Sequence, residues 1–311
     1  MIAFLFPGQG SQAVGMGRAF HDASPAAKTV FAEANDALGF DLTRLMFEGP
    51  EADLALTANT QPAIMTVSVA AAAVCAERNL RPAIAAGHSL GEWSALVVAG
   101  ALRFRDAVRI VRKRGEFMQE AVPVGAGAMA ALMGLDLPIV EAVCAEAAQG
   151  QVVDIANINS AGQIVIAGHR PAVERAVAVA SARGGRKSVM LPVSAPFHSS
   201  LMAPAAERLA AELASVEVAD PRIPVVRNVD AGITRVAADV KPFLLKQVAS
   251  PVRWTDCVTR LASEGATAFV EVGPGRVLTA LLRRIVDGAR GQAVEDPDGV
   301  DTARAAVGGV A

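Results

Sequence analysis

A short apolar run, Ala83-Ile84-Ala85-Ala86-Gly87, passes without a spacer into Gly87-His88-Ser89-Leu90-Gly91 and then into the helix-forming Glu92-Trp93-Ser94-Ala95-Leu96. No other feature of the chain restricts its fold as much. An apolar run this short fits a strand buried on both faces better than a helix. A strand that turns directly into a helix is the unit from which α/β sheets are built. The Gly-x-Ser-x-Gly pattern sharpens the point, because a serine on a strained strand-to-helix turn needs glycine two residues away on either side. Such an elbow exposes the Ser89 hydroxyl above the sheet, where a helix N-terminus stabilises negative charge. An ordinary turn in which Ser89 caps the helix is the blander reading of the same residues.

The remaining pattern alternates strands with helices. Residues 2–6 read as a buried strand ending in the loop Pro7-Gly8-Gln9-Gly10. Helical periodicity follows at 25–38, with Ser24 as N-cap and Pro25 in the first turn, then at 61–78 and 104–121. Pro123 and Gly125-Ala126-Gly127 mark a boundary. Beyond it, strand-like 128–134, helix-like 136–148, strand-like 152–156 and 163–168, helix-like 171–183 and strand-like 186–191 give the βαββαβ order of a ferredoxin-like unit. A helix at 200–215, a strand at 223–227, helices at 239–248 and 254–264, a strand at 267–272 and a helix to about 287 complete the chain. The expected domains are a core of 1–124 and 196–287 with a subdomain inserted at 125–195. The segment 288–311, rich in Gly, Asp and Ala without a clear apolar face, reads as a loosely ordered tail.

Composition excludes several classes. At 311 residues and 52% hydrophobic, the chain is too apolar for bulk disorder and long enough for one large domain with an insertion. The most apolar stretch, Ala63 to Ala76, is broken by Thr66 and Ser68 and falls short of the roughly 20 residues of a bilayer crossing, so a buried helix is expected and no membrane. The N-terminus reads without a basic leader, so a cytoplasmic chain is expected. Cys75, Cys144 and Cys257 lie far apart among apolar residues and read as reduced, buried thiols rather than disulfides or metal ligands. A net charge of −2 offers no field for nucleic acid.

A serine nucleophile needs a base, and four histidines are available. His21 lies at an early helix end, His88 adjoins the serine with its side chain directed away, and His169 follows a strand. His198 sits in Val193-Ser194-Ala195-Pro196-Phe197-His198-Ser199, a loop broken by proline just before a helix. A neutral imidazole near pH 7 is the base a serine hydroxyl requires, although a lone loop histidine is otherwise merely solvated. The segment Gly8-Gln9-Gly10-Ser11-Gln12-Ala13 imitates a dinucleotide fingerprint, but the second strand and acidic residue that the fingerprint needs are replaced by helical pattern. Gln9 is instead a candidate backbone donor to an oxyanion. Arg109, Arg112, Lys113 and Arg114 form a basic cluster that reads mostly as a solvated helix face. Arg114 breaks that pattern, with Gly115 after it and Phe117-Met118 continuing the apolar face, and an inward guanidinium would clamp a carboxylate. Gln61, before Pro62, is a second polar group for the same pocket or a plain helix-start residue.

Across residues 2–286 these segments resemble the acyltransferase family of fatty acid and polyketide synthesis, in particular the bacterial malonyl-CoA:acyl-carrier-protein transacylases. The resemblance rests on Phe6-Pro7-Gly8-Gln9-Gly10-Ser11-Gln12, Thr60-Gln61-Pro62-Ala63, Gly87-His88-Ser89-Leu90-Gly91-Glu92, Arg114-Gly115 with Met118-Gln119, Asn157 and Asn159, Pro196-Phe197-His198-Ser199, and Glu271-Val272-Gly273-Pro274-Gly275. It implies an α/β-hydrolase-like core with an inserted ferredoxin-like subdomain. It also implies a ping-pong transfer of malonyl from malonyl-CoA to the phosphopantetheine thiol of acyl carrier protein, through an ester on Ser89. By resemblance, His198 is the general base, oriented by the main-chain carbonyl of Gln247, and the N–H groups of Gln9 and Leu90 form the oxyanion hole. Arg114 holds the malonate carboxylate, Gln61 helps to place it, and Phe197 with Leu90 flanks the dyad and favours malonyl. No metal or resident cofactor is implied, and a monomer is expected. Basic residues Arg186, Lys187, Lys246 and Arg283 are candidates to steer an acidic carrier. Alternatives are a malonyltransferase of a polyketide synthase or malonate-metabolising complex, a serine hydrolase such as a thioesterase, and a non-catalytic binding module. Trp93 stands where a tyrosine is common in the family, and the tail after about 288 has no counterpart.

Overall fold

The computed structural model describes residues 1–193 and 195–308; Ser194, at the end of the expected insertion, and 309–311, in the expected tail, lie outside the described residues. The chain opens with β1 (Ile2–Phe6), followed by α1 (Arg18–Ala23), α2 (Pro25–Leu38), α3 (Leu42–Glu48), α4 (Glu51–Leu54) and α5 (Thr57–Glu77). Next come β2 (Ile84–Gly87), α6 (Leu90–Val98) and α7 (Phe104–Glu120). A second group comprises β3 (Gly127–Met133), α8 (Leu137–Ala148), β4 (Val153–Ser160), β5 (Gln163–His169), α9 (Arg170–Ala182) and β6 (Lys187–Met190). After a 3-10 turn at Ser200–Met202 follow α10 (Ala203–Ala214), β7 (Val225–Val226), β8 (Ile233–Thr234), α11 (Ala237–Val248), α12 (Trp254–Ser263), β9 (Ala268–Val272), α13 (Val277–Leu282), β10 (Arg290–Val294) and α14 (Pro297–Gly308).

The result is a mixed α/β molecule with two sheets. The larger has the order β10-β9-β1-β2-β7-β8, parallel except for the β7–β8 pair. Strand alternation sends Phe4 and Phe6 of β1 into the core shared with α2, α5, α6 and α7. Ala3 and Leu5 enter a separate core with Trp254 and Val258 of α12 and Leu278 of α13. Burial on both faces explains why β1 and β2 read as unbroken apolar runs.

The smaller sheet has the order β4-β5-β3-β6 and is wholly antiparallel. Its two faces are also both covered. Ala128, Ala130 and Leu132 of β3 pack with Val140 of α8 and Val173 of α9, whereas Met129 and Ala131 of the same strand join the core of the larger unit. One strand thus feeds two cores by period-2 alternation, which seats the smaller sheet firmly beside the larger.

Two expectations need correction. The helix expected from residue 61 begins at Thr57, with Pro62 inside its second turn. A proline there forfeits its N–H bond to the carbonyl four residues earlier and crowds that carbonyl, and burial of most of this helix outweighs the cost. The segment expected as a loose tail from 288 is structured across its described part. β10 pairs in parallel with β9 from Arg290–Ala268 to Val294–Val272, and α14 packs back so that Val294, Val300 and Ala303 are fully buried. Arg78 ties α14 to α5 by donating to the Pro297 carbonyl at 2.6 Å and to Asp301 at 2.5 Å.

Candidate active site

β1 and β2 lie side by side in parallel, Phe6 opposite Gly87, so both chains leave the sheet at the same edge. There β2 turns into α6 at Ser89, whose φ of 51° and ψ of −103° lie outside the comfortable regions for a side chain. The turn is tight enough that glycine is obligatory on both flanks. A Cβ on Gly87 would lie 1.9 Å from the Gly91 carbonyl carbon, and one on Gly91 would lie 2.0 Å from the Phe6 oxygen.

The Ser89 hydroxyl is 2.7 Å from Nε2 of His198. On the far side of the ring, Nδ1 lies 3.0 Å from the Gln247 carbonyl oxygen, which can only accept. That contact places the proton on Nδ1 and leaves Nε2 bare toward the hydroxyl. Burial, reinforced by the Arg114 charge, holds His198 down to about 3, so the imidazole is neutral throughout the physiological range. A carbonyl in place of a carboxylate makes this a serine–histidine dyad.

Arg114 arrives from α7, which lies against the first turn of α5 because Gly115 has no side chain; a Cβ there would sit 2.6 Å from the Thr57 oxygen. The guanidinium is buried, donating through Nη1 to Gln61 Oε1 at 2.7 Å and through Nη2 to Ser89 Oγ and Gln247 Oε1, both at 3.1 Å. Its Nε finds no partner among the described residues. Burial brings Arg114 down to about 10, opposed by the Glu92 charge, so the cation persists at neutral pH. A buried cation in contact with the Ser89 hydroxyl has the chemistry to pair with an anionic group brought to that hydroxyl.

Two residues without an assigned role in the sequence complete the network. Asn228 accepts the Ser89 N–H at 2.7 Å and donates Nδ2 to the Gly87 carbonyl at 2.7 Å, clasping both sides of the elbow. Glu92 Oε2 accepts from the Asn228 N–H at 3.0 Å and from Gln247 Nε2 at 2.7 Å. The available signals were a polar residue just beyond a buried strand and a carboxylate at the start of an apolar helix. Both are commonplace.

Of the residues expected from sequence, Ser89, His198, Arg114, Gln61 and Gln247 form one hydrogen-bonded cluster. Gln9 lies on the loop after β1, its side chain donating to Thr57 Oγ1 at 3.2 Å. The Gln9 and Leu90 N–H groups have no acceptor among the described residues. Phe197 is buried next to His198. His88 points away, with Nε2 2.9 Å from Asn159 Oδ1 and its ring against Trp254. Arg186, Lys187, Lys246 and Arg283 are exposed but come from three separate regions of the chain and are not drawn into the cluster. Among the described residues no group of three His, Cys, Asp or Glu side chains is placed to hold a metal ion. No described helix is long and apolar enough to cross a membrane.

Residues 3–300 match the model of the acyl transferase domain. The chain belongs to the acyl transferase family. The acyl transferase is 49% identical over 303 residues to the malonyl CoA-acyl carrier protein transacylase of Escherichia coli (strain K12), covering 97% of the chain and 98% of that relative. To the enzyme of the same name from Bacillus subtilis (strain 168) it is 47% identical over 303 residues, covering 97% and 96%. A solved malonyl-transacylase in complex with its type II PKS acyl-carrier protein superimposes with a TM-score of 0.95 at 46% identity, covering 97% of this chain and 98% of that one. The family indicated by the sequence motifs is therefore the one to which this acyl transferase belongs.

Proposed function

We propose that the enzyme transfers malonyl from malonyl-CoA to the phosphopantetheine thiol of an acyl carrier protein, in two steps through a malonyl ester on Ser89. The observation that carries this reading is the buried Arg114 guanidinium 3.1 Å from the Ser89 hydroxyl. No carboxylate of the described residues touches that cation, so an acyl group with an anionic end can pair with it directly, and relatives 47% and 49% identical to the chain bear the name malonyl CoA-acyl carrier protein transacylase.

In the first step Ser89 Oγ attacks the thioester carbonyl while its proton passes to His198 Nε2. The carbonyl oxygen becomes anionic and is received by the N–H groups of Gln9 and Leu90, each donor lowering the barrier by about 3 kcal/mol. Collapse breaks the C–S bond, and His198 returns the proton to the departing CoA sulfur. In the second step the carrier thiol gives its proton to His198, its sulfur attacks the ester, the C–Oγ bond breaks and Ser89 is reprotonated. Gln61 and Gln247 hold the guanidinium in place for the malonate carboxylate, and Phe197 and Leu90 shape the pocket beside it. The chemistry uses no metal or resident cofactor, since the pantetheine arm comes with the carrier.

In this reading the six-stranded sheet with its elbow is an α/β-hydrolase-like core, and the antiparallel unit at 125–195 is a ferredoxin-like insertion. The enzyme acts as a cytoplasmic monomer, and its carrier is that of fatty acid synthesis. The relative bound to a type II PKS carrier makes a polyketide carrier the second one to assay.

Intact-protein mass spectrometry tests the proposal. Brief mixing with malonyl-CoA should add one malonyl group to the wild type and none to Ser89→Ala, and addition of holo carrier should move the group to the carrier. Malonate released into solution with the carrier untouched would instead identify a hydrolase. Arg114→Ala should lower the preference for malonyl-CoA over acetyl-CoA about 100-fold or more, as expected when one member of a buried charge pair is removed; unchanged selectivity would remove Arg114 from the carboxylate site.

A further inference from the structure

Glu92 takes no part in the transfer steps, yet its carboxyl group is buried at 2% exposure directly behind the nucleophile. One oxygen, Oε2, accepts from both Gln247 Nε2 and the Asn228 N–H. The Gln247 amide is the hub of the site. Its Oε1 accepts from Arg114 Nη2, its Nε2 reaches the Ser89 carbonyl at 3.0 Å as well as Glu92, and its backbone carbonyl accepts from His198 Nδ1.

A side-chain amide has nearly the same shape after a half-turn, so only its partners decide which end faces the guanidinium. Turned the wrong way, its N–H groups would oppose the Arg114 donors, and its oxygen would oppose both the Glu92 carboxylate and the Ser89 carbonyl. Such buried unsatisfied contacts are costly. An anion at Glu92 rejects the wrong orientation far more strongly than a neutral group would. It also supplies a counter-charge to Arg114 from one amide away, so that no carboxylate of the protein occupies the guanidinium itself.

We propose that the Glu92 carboxylate is a positioning residue that, through Gln247, fixes both Arg114 and the carbonyl that orients His198, while leaving the guanidinium open to the substrate. This rests on the malonyl-transfer reading above.

Burial raises Glu92 to about 7, against smaller lowering effects from Gln247, Asn228, Arg114 and Arg227. The charged groups that act on it are Arg114 from α7 and Arg227 following β7, and it acts in turn on Cys257 from α12; His88 and His198 belong to the same elbow, where His198 feels Arg114 and His88. Cys257 is held well above the usual thiol range and both histidines are lowered, burial being the largest cause in each case. Glu92 is therefore the member of this group that changes charge near neutrality. As the pH falls through about 7 the carboxylate becomes a neutral acid, its hold on Gln247 weakens and acylation slows.

The test is the single-turnover rate of Ser89 malonylation by the full chain, followed by quenched flow and intact mass from about pH 5.5 to 8.5, a range that brackets this ionisation. The wild type should show an acid limb near pH 7. Glu92→Gln should be slower about tenfold or more at pH 8, with the limb abolished and the malonyl-over-acetyl preference reduced. Its thermal midpoint at pH 8 should equal or exceed that of the wild type, because a buried charge has been removed. Glu92→Asp should recover part of the rate and restore an acid limb. A wild type without the limb overturns the inference, whichever variants fold. So does a Glu92→Gln enzyme that keeps the wild-type rate and profile, or one that loses rate only in proportion to lost stability. A wild type that forms no malonyl adduct at any pH overturns the malonyl reading, and this inference falls with it.

Discussion

To serve as the proposed base His198 must stay neutral, and the burial that keeps it so carries a cost in stability. The unfolded chain takes up a proton near the ordinary value of 6.5, whereas the folded imidazole resists to about 3. Below pH 6.5 the unfolded state therefore binds more protons and stability falls, by an amount on the order of 3 kcal/mol at pH 4 if this group acts alone. Glu92 runs the other way: its raised value gives stability that is present below its unfolded value of 4.5 and lost as the pH rises toward about 7. Urea unfolding at pH 7 and pH 4.5 separates the two effects. His198→Gln should lose less stability than the wild type on acidification, and an equal loss would show that His198 is not held neutral by burial. At this scale the sequence was informative where a residue type is rare in its setting. A serine between two glycines after a strand, a histidine beside a proline break and an arginine within an apolar helical pattern each stood out. Asn228 and Glu92 did not, because what distinguishes them is a set of partners 19 to 155 positions away in sequence.

At the scale of elements, α7 shows how an arginine becomes part of a site. Ala107, Val111, Arg114 and Met118 follow one another at helical spacing and all are buried, so Arg114 occupies a place on the stripe facing the core. Arg112 of the same helix stays outside, bonded to Asn59 and stacked over Phe40. The approach of α7 to α5 that joins Arg114 to Gln61 depends on Gly115. Gly115→Ala should push the helices apart at a cost of about 1–3 kcal/mol. Because the shift falls between Arg114 and Gln61, the KM for malonyl-CoA should rise more than kcat falls. Urea denaturation and steady-state kinetics check both, and wild-type stability with unchanged KM would refute the close-packing argument. Long periodic helices such as α2 and α7 were legible from their sequence to within a residue or two. Two-residue strands such as β8 were not, since so short a pairing is fixed by its neighbour rather than by its own pattern.

For the molecule as a whole, the last strand and helix decide whether the large sheet has an open edge. β10 offered little to pattern reading, because only Val294 of its five residues is fully inside and the remainder is held by backbone pairing to β9. Its value lies in what it covers. β9 carries Phe269, Val270 and Val272 in the core, and without β10 its unpaired N–H and C=O groups would form a long apolar edge. α14 adds Val300 and Ala303 to the core and binds Arg78 at the end of α5, so the chain terminus clamps the helix that carries Gln61. Truncation after residue 288 should therefore affect more than its own neighbourhood. The shortened chain is expected to melt several degrees lower and to self-associate on size-exclusion chromatography at concentrations where the full chain does not. Arg78→Ala, which leaves β10 in place but releases α14, should lower the melting temperature by less and leave the association state unchanged. A truncated chain that elutes and melts like the wild type would show that β9 tolerates an open edge. Association of Arg78→Ala would instead place the protection in α14.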